Sequence, residues 1–219
     1  MFKKLAILLG AILACGLLAA AQEVRQEITV SATGIFTAQS SNNSVVHKAT
    51  DTGGVLAGYR YNFNRWASVE ANYGWNRNSQ QYFQLTQVGL VQDRVKVNIN
   101  QATADFVYRT PTFRHLRPYL LGGGGGLWFS PVQRNQAFSF ATGLSPGLIR
   151  VPTRGTGTFV YGGGADIDLT TRSGNMPGIS LRLGYRGYAY KVPDFGFARL
   201  NVNSWTHTAQ PEAGLTFRF

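Results

Sequence analysis

The last thirteen residues, His207 to Phe219, read HTAQPEAGLTFRF, and their pattern decides the fold. From Ala209 onward they alternate. Ala209, Pro211, Ala213, Leu215, Phe217 and Phe219 point one way, and Gln210, Glu212, Gly214, Thr216 and Arg218 point the other. Side chains in a strand have a period of two, so this is a strand with one apolar and one polar face. Chain ends fray into solvent unless they are tied into a sheet. An alternation that runs to a final phenylalanine therefore predicts a last strand locked into a sheet, and the fold turns on what its apolar face meets.

The opposite end of the chain bears on that question. Met1 to Ala21 carries Lys3 and Lys4, an apolar run from Leu5 to Leu18, and small residues at Ala19, Ala20 and Ala21. This is the pattern of a secretory signal peptide cleaved after Ala21, which leaves residues 22–219 as one domain. A membrane-anchoring helix is the competing reading, but the run falls short of the ~20 residues that span a bilayer. Ile12-Leu13-Ala14-Cys15 also resembles a lipoprotein processing box; lipid on Cys15 would leave a poor apolar tether behind it, so that reading ranks second. Cleavage after Ala21 removes Cys15, the only cysteine, and with it disulfide and thiol chemistry. It also removes two lysines and lowers the formal charge from +11 to +9. A basic exported chain is expected to meet anionic surface, with no nucleic acid as partner. No later stretch reads as an uninterrupted apolar helix, so membrane association of the mature chain falls to strands.

Eight alternating runs between turn-rich segments predict an antiparallel all-β protein. The first is about Glu27 to Phe36. The second, Gly54 to Phe63, sets Val55, Ala57, Tyr59, Tyr61 and Phe63 against Arg60 and Asn62. The third, Trp66 to Asn76, sets Val69, Ala71, Tyr73 and Trp75 against Ser68, Glu70 and Asn72. The fourth, near Val97 to Arg109, changes phase: Val95, Val97 and Ile99 are odd-numbered, whereas Ala102, Ala104, Phe106 and Tyr108 are even. A bulge near Asn100 or Gln101 would reconcile them. The fifth, Pro118 to Ser130, contains Gly122 to Gly126; the sixth is Gly157 to Leu169, the seventh Ile179 to Tyr190, and the eighth the closing stretch. The connections alternate in length. Those after runs two, four and six are short, and those after one, three, five and seven (about 37–53, 77–96, 131–156 and 192–205) are long and polar. Transmembrane β-barrels have this asymmetry, with short periplasmic turns, longer extracellular loops and an even number of strands about 9 to 11 residues long.

A soluble lipocalin-like barrel has the same period with its faces reversed, so the polar face has to decide. It carries Arg60, Glu70, Asp105, Arg109, Asp166, Asp168, Arg182, Arg186, Glu212 and Arg218, five bases and five acids, whereas the long connections are strongly basic. Balanced charge suits an enclosed lumen, where an unpaired ion costs several kcal/mol. The opposite face is aliphatic in mid-strand, with Tyr61, Phe63, Tyr73, Trp75, Tyr108, Tyr119, Phe129, Phe159, Tyr185 and Phe217 near strand ends, as in the aromatic girdles at membrane interfaces. The expected fold is thus an all-β, eight-stranded antiparallel up-and-down transmembrane β-barrel. Closure pairs every backbone group without water. Eight strands enclose only enough room for side chains, so a plugged lumen is expected, with glycines at 122–126 and 162–164 allowing tight curvature and room for large Arg and Tyr neighbours.

Catalytic and cofactor signatures are weak. Gly122 to Gly126 runs into Leu127-Trp128-Phe129 and not into the Gly-Lys-Ser or Gly-Lys-Thr exit of a phosphate-binding loop. His47, His115 and His207 lack a second ligand at metal spacing, so neither metal nor cofactor is expected. Ser204, His207 and Glu212 supply the residue types of an acyl hydrolase acting on lipid A, but His207 shares the lipid-facing phase while Glu212 faces the lumen. In the third long connection, Arg134, Arg150 and Arg154 have no acid between Pro131 and Thr156, and the second and fourth connections add Arg77, Arg94, Lys96, Lys191 and Arg199. Solvated loop charge is the plain reading; docking on lipopolysaccharide phosphates is the functional one. The alternations Tyr82 to Val88 and Ala137 to Ala141 could extend strands above the membrane and offer an edge for another protein.

With its signal peptide, eight alternating strands, Pro118-Tyr119-Leu120-Leu121-Gly122-Gly123-Gly124 in mid-chain and Leu215-Thr216-Phe217-Arg218-Phe219 at the end, the chain resembles the OmpA-like and OmpX-like outer-membrane β-barrels. The resemblance implies a Gram-negative outer-membrane location and a structural or surface-interacting role. It also implies that Phe219, with Phe217 and Leu215, serves as the recognition signal for the barrel-assembly machinery. Outer-membrane lipid and lipopolysaccharide are the other expected partners, and the barrel is expected to be a monomer. Unlike the OmpA type, no peptidoglycan-binding domain follows the barrel, so a cell-wall tether is not expected. A small porin-like channel and a lipid A-modifying enzyme remain the alternatives.

Overall fold

The computed structural model describes residues 26–42, 44–86, 89–133, 135–137, 148–170, 176–196 and 202–219. The stretch read as a signal peptide, with Cys15 in it, and Arg134 and Arg199 lie outside them. Twelve strands follow in order: β1 Gln26–Thr37, β2 Ser40–Asn42, β3 Val45–Ala49, β4 Thr52–Asn62, β5 Ala67–Thr86, β6 Gly89–Arg109, β7 Leu116–Pro131, β8 Asn135–Ala137, β9 Leu148–Arg150, β10 Arg154–Thr170, β11 Gly178–Lys191 and β12 Trp205–Arg218. Eight of them, β1, β4, β5, β6, β7, β10, β11 and β12, pair antiparallel in that sequence, and β12 returns to β1 to close a barrel. The closing seam runs from Glu27 opposite Arg218 to Thr37 opposite Thr208, and the Phe219 N–H donates to the Gln26 carbonyl at 3.0 Å. No barrel strand is left with a free edge within the closed part, which is what a sheet in hydrocarbon requires.

Alternation sorts the faces. Val30, Val55, Val69, Tyr73, Phe106, Leu120, Phe159 and Leu215 are exposed on the outside, while Arg60, Glu70, Asp105, Arg182 and Arg186 are buried inside. The short connection after β4 has a local cause. Asn64 accepts the Trp66 and Ala67 N–H groups on its Oδ1, each at 2.8 Å, an Asx turn that reverses the chain.

Three expectations need correction. The β5–β6 register is unbroken from Ala67 opposite Tyr108 to Thr86 opposite Gly89, so there is no bulge at Asn100 or Gln101; the irregularity lies between Asp168 and Thr170 in the β10–β11 pair. From Val95 to Arg109 the odd residues of β6 face inward, and Val95, Val97 and Ile99 lie in the upper lumen, where apolar and neutral polar side chains mix. Tyr119 and Phe129, placed in the lipid-facing girdle by type, are buried inside the barrel. The glycine run hides the phase of β7, because five residues without side chains mark neither face. Last, the connection expected over 77–96 is almost entirely strand, well beyond the extension that the alternation from Tyr82 allows. At ~3.4 Å per residue the 20 residues of β5 measure ~68 Å, about twice the length of the 9 to 11 residues that cross a membrane. The β5–β6 hairpin therefore rises above the barrel, where β3 pairs with β5 from Val45 opposite Gln84 to Ala49 opposite Gln80, and β2 extends the sheet.

Candidate functional site

The charged side chains meet inside the barrel because cross-strand register sets them level. Arg60, Glu70 and Asp105 lie directly opposite one another on β4, β5 and β6, and Asp166 lies opposite Arg182 on β10 and β11. Arg60 donates from Nε to Glu70 Oε2 at 2.6 Å and from Nη1 to Asp166 Oδ2 at 3.3 Å. Arg182 donates from Nε to Asp166 Oδ1 at 2.9 Å and from Nη1 to Glu70 Oε2 at 3.0 Å. Arg186, fully buried, reaches three carboxylates: Glu70 through Nη2, Asp105 through Nη1 at 2.5 Å and Glu212 through Nε at 3.3 Å. Toward the short-turn end, Arg109 pairs with Glu27 at 2.5 Å, and Asp168 takes Arg117 at 2.5 Å and Arg218 at 3.2 Å. Six guanidinium groups and six carboxylates make up this set of pairs, so the charge they place inside the barrel balances. Burying a charge without a partner in such a place is strongly unfavourable, which is why sign balance matters more here than any one bond.

Tyr119 lies at the middle of the network. Its ring lies under both Arg60 (4.9 Å to the centroid) and Arg182 (5.3 Å), and its hydroxyl donates to Glu212 Oε1 at 3.1 Å. Glycines make the room. A Cβ on Gly184 would come within 2.7 Å of the Tyr119 hydroxyl and 2.8 Å of Glu212 Oε1, and one on Gly164 within 2.8 Å of the same hydroxyl. On β7, a Cβ on Gly123 would meet Asp105, which sits directly opposite.

Above the network the interior changes character. Ile35, Ile99, Leu127 and Phe129 mix with Asn76, Asn78, Gln101 and Gln210 around a cavity of ≈ 20 Å³, room for about one or two waters. Asn76 Oδ1 and Gln210 Nε2 are buried without a protein partner, as groups served by such waters would be. Higher still, Val192, Pro193, Phe195 and Val202 from the β11–β12 connection are buried at the mouth. Tyr82 donates its hydroxyl to the Pro193 carbonyl at 2.9 Å and meets the Phe195 ring edge-on at 6.4 Å. Beside it, His47 is fully buried, with Nε2 2.6 Å from Gln80 Oε1 and its ring 5.0 Å from that of Tyr82. Burial pushes the His47 imidazole below its usual value, an effect partly offset by the Gln80 hydrogen bond.

The structure thus brings Arg60, Glu70, Asp105, Arg109, Asp166, Arg182, Arg186 and Glu212 into the interior, with Arg218 buried and Asp168 half-buried at its lower end. Three members were missed. Glu27 and Arg117 share the inward phase of Thr29 and Tyr119, a signal present in the sequence, whereas Tyr119 was concealed by the glycine run. Ser204, His207 and Glu212 do not assemble: His207 Nε2 is 2.8 Å from the Tyr161 hydroxyl at the barrel exterior, while Glu212 is bound to Arg186 and Tyr119 inside. Among the described residues no three His, Cys, Asp or Glu side chains gather as metal ligands. Arg154 is exposed near Gly196 at the mouth; Arg150 belongs to β9, of which only the backbone is described. Leu215 faces lipid, and Phe217 and Phe219 are half-buried beside the seam.

An eight-stranded closed antiparallel barrel with an apolar exterior and a charged interior is a transmembrane β-barrel. Residues 7–219 match the family model described as "Outer membrane protein beta-barrel domain", and the chain belongs to that family. It is a bacterial outer-membrane protein. No curated protein sequence matches it. Among solved structures it is similar to Neisserial surface protein A, with a TM-score of 0.53 and 12% identity over 89% of this chain and 97% of that one. Two others are the attachment invasion locus protein Ail of Yersinia pestis (TM-score 0.47, 16% identity, 90% and 100% covered) and OprG of Pseudomonas aeruginosa (0.47, 12%, 91% and 98%).

Proposed function

We propose that the protein is a lumen-sealed outer-membrane barrel that acts on the extracellular side, by displaying the β5–β6 hairpin and its neighbouring connections above the membrane. The observation that carries this is the ion-pair network: Arg60, Glu70, Arg182 and Arg186 are each at most 1% exposed and each bonded to two or more network members. The close-packed layer of apolar and neutral polar side chains and the buried mouth residues above it support the same reading, since an ion would have to pass the charge network and then a cavity of only ≈ 20 Å³. A small channel would instead need a continuous wet path. Planar-bilayer recording tests it: the wild-type protein gives no discrete conductance steps, and Arg182→Ala with Arg186→Ala gives them. Steps from the wild-type protein would overturn the sealed reading. We also assign Leu215, Phe217 and Phe219 to recognition by the barrel-assembly machinery, a role that the apolar end of β12 suits.

A further inference from the structure

The hairpin that rises above the membrane has a consistently signed outer face. Register places Lys48, Gln81 and Arg94 in one row across β3, β5 and β6, Ser79 and Lys96 in the next row down, and Arg77 and Asn98 in the next. Lys48, Arg77, Arg94 and Lys96 are all exposed and all on the outward side, opposite in phase to buried His47, Asn78, Gln80, Val95 and Val97. Rows are separated by ~7 Å along a strand and strands by ~4.8 Å, so the four cations share one patch of a rigid sheet. Arg77 is held in place, donating from Nε to Asn98 Oδ1 at 2.7 Å and lying 5.9 Å from the Trp75 ring. Trp75 and Tyr73 are exposed two and four residues lower on the same strand, at the height where aromatic side chains meet the membrane interface. No acidic residue points outward from the described parts of β3, β5 or β6 here, and among the described residues no ion pair joins Asp51, in the β3–β4 connection, to any of the four.

We propose that Lys48, Arg77, Arg94 and Lys96 form a binding site for the phosphate groups of lipopolysaccharide in the outer leaflet. The ligand follows from position and charge. The site starts one residue pair above the aromatic level, faces sideways along the membrane plane and not over the mouth, and offers four cations that no carboxylate pairs with among the described residues. Lipid phosphates of the outer leaflet lie at that height. Guanidinium binds phosphate through paired N–H donors, and a sheet keeps the donors in register without the entropy loss that a loop would pay. Arg77, Arg94 and Lys96 are among the cations that the sequence offers to lipopolysaccharide; the structure adds Lys48 and sets the four apart from Arg154 of the third connection, which lies near Gly196 over the mouth. The proposal rests on the outer-membrane location and not on the sealed lumen, so a conducting barrel would leave it standing.

The test is titration of detergent-folded protein with purified lipopolysaccharide, with the same material after enzymatic dephosphorylation, and with phosphatidylglycerol. Folding is checked in each sample by the heat-modifiable shift on gels. Replacing all four residues by Gln weakens lipopolysaccharide binding by about tenfold or more, as expected for lost charge-assisted contacts, and removing the phosphates does the same. Phosphatidylglycerol binds at least about tenfold more weakly than lipopolysaccharide, because one phosphate engages fewer of the four cations. Arg154→Gln leaves the affinity unchanged. The proposal is overturned if the fourfold variant binds like wild type, if dephosphorylated material binds equally well, if phosphatidylglycerol matches lipopolysaccharide, or if Arg154→Gln costs as much as the fourfold change.

Discussion

Replacing Arg186 by Met tests how much the interior charge balance contributes. Arg186 serves three carboxylates, but the loss does not fall evenly. Glu70 keeps Arg60 at 2.6 Å and Arg182 at 3.0 Å, and Glu212 keeps the Tyr119 hydroxyl at 3.1 Å. Asp105 keeps only the neutral donors Asn72 Nδ2 at 2.8 Å and Thr103 Oγ1 at 3.3 Å. Asp105 and Glu212 thus both lose their only guanidinium partner among the described residues, and removing one partner of a buried pair costs about 3–5 kcal/mol. Asp105→Asn in the same molecule removes one of the two stranded charges, so the pair should couple by about 1–3 kcal/mol and the double variant should be more stable than the single one. The assay is urea unfolding of protein folded into phospholipid vesicles, followed by tryptophan fluorescence and extrapolated to zero denaturant. A loss below about 1 kcal/mol for Arg186→Met, or additive losses in the double variant, would refute the argument that pairing governs the interior.

Four shorter predictions accompany it. Gly184→Ala places a Cβ against the Tyr119 hydroxyl and Glu212 and should cost about 1–3 kcal/mol, whereas Gly122→Ala, with nothing within 4 Å, should stay within about 0.5 kcal/mol; the same urea titration compares them. His47 is neutral and buried, with its proton affinity depressed in the fold, so its contribution is complete above about pH 6.5 and is lost as pH falls through the lower folded value. Protease cleavage in the β11–β12 connection should therefore accelerate between pH 7 and pH 5 in wild type, and the same pH profile in His47→Gln would reject this. Tyr82→Phe removes the hydrogen bond to the Pro193 carbonyl and should weaken the mouth by about 1 kcal/mol, read as faster amide exchange around Phe195. Phe219→Ser should lower the amount of barrel assembled in cells while changing urea stability of refolded protein by less than about 1 kcal/mol, because the tie at that residue is the backbone bond to Gln26; equal losses in both would argue for a purely structural role.

Much of the barrel was legible from side-chain period. The third run, Trp66 to Asn76, keeps strict alternation and lies wholly within β5 apart from its first residue, and the closing strand pairs with the first along the expected seam. Legibility failed where the period loses its meaning. Gly122 to Gly126 carry no side chains to mark a face, so Tyr119 and Phe129 were assigned by residue type and not by phase. Val95, Val97 and Ile99 read as lipid-facing because apolar residues were equated with the outside. The upper lumen mixes apolar with neutral polar side chains, so an apolar residue fits both faces there.

Charge gave a similar division. Sequence placed ten charged residues on one face, and cross-strand register then decided which touched: Arg186 reaches Asp105 and Glu70, residues 81 and 116 positions away. The sequence by itself determined that this chain makes eight alternating strands, that one face is apolar and aromatic and the other balanced in charge, and hence that the fold closes in a membrane. Those features are local, set by a two-residue period and by which side chains water or lipid will accept. Only the tertiary structure decided the height at which the interior turns from ion pairs to a mixed layer of apolar and neutral polar side chains, how β5 and β6 pair along the strand extension that the alternation from Tyr82 allows, and the gathering of Lys48, Arg77, Arg94 and Lys96 on its outer face. These depend on strand register and on contacts between distant segments, which a single strand's alternation does not encode.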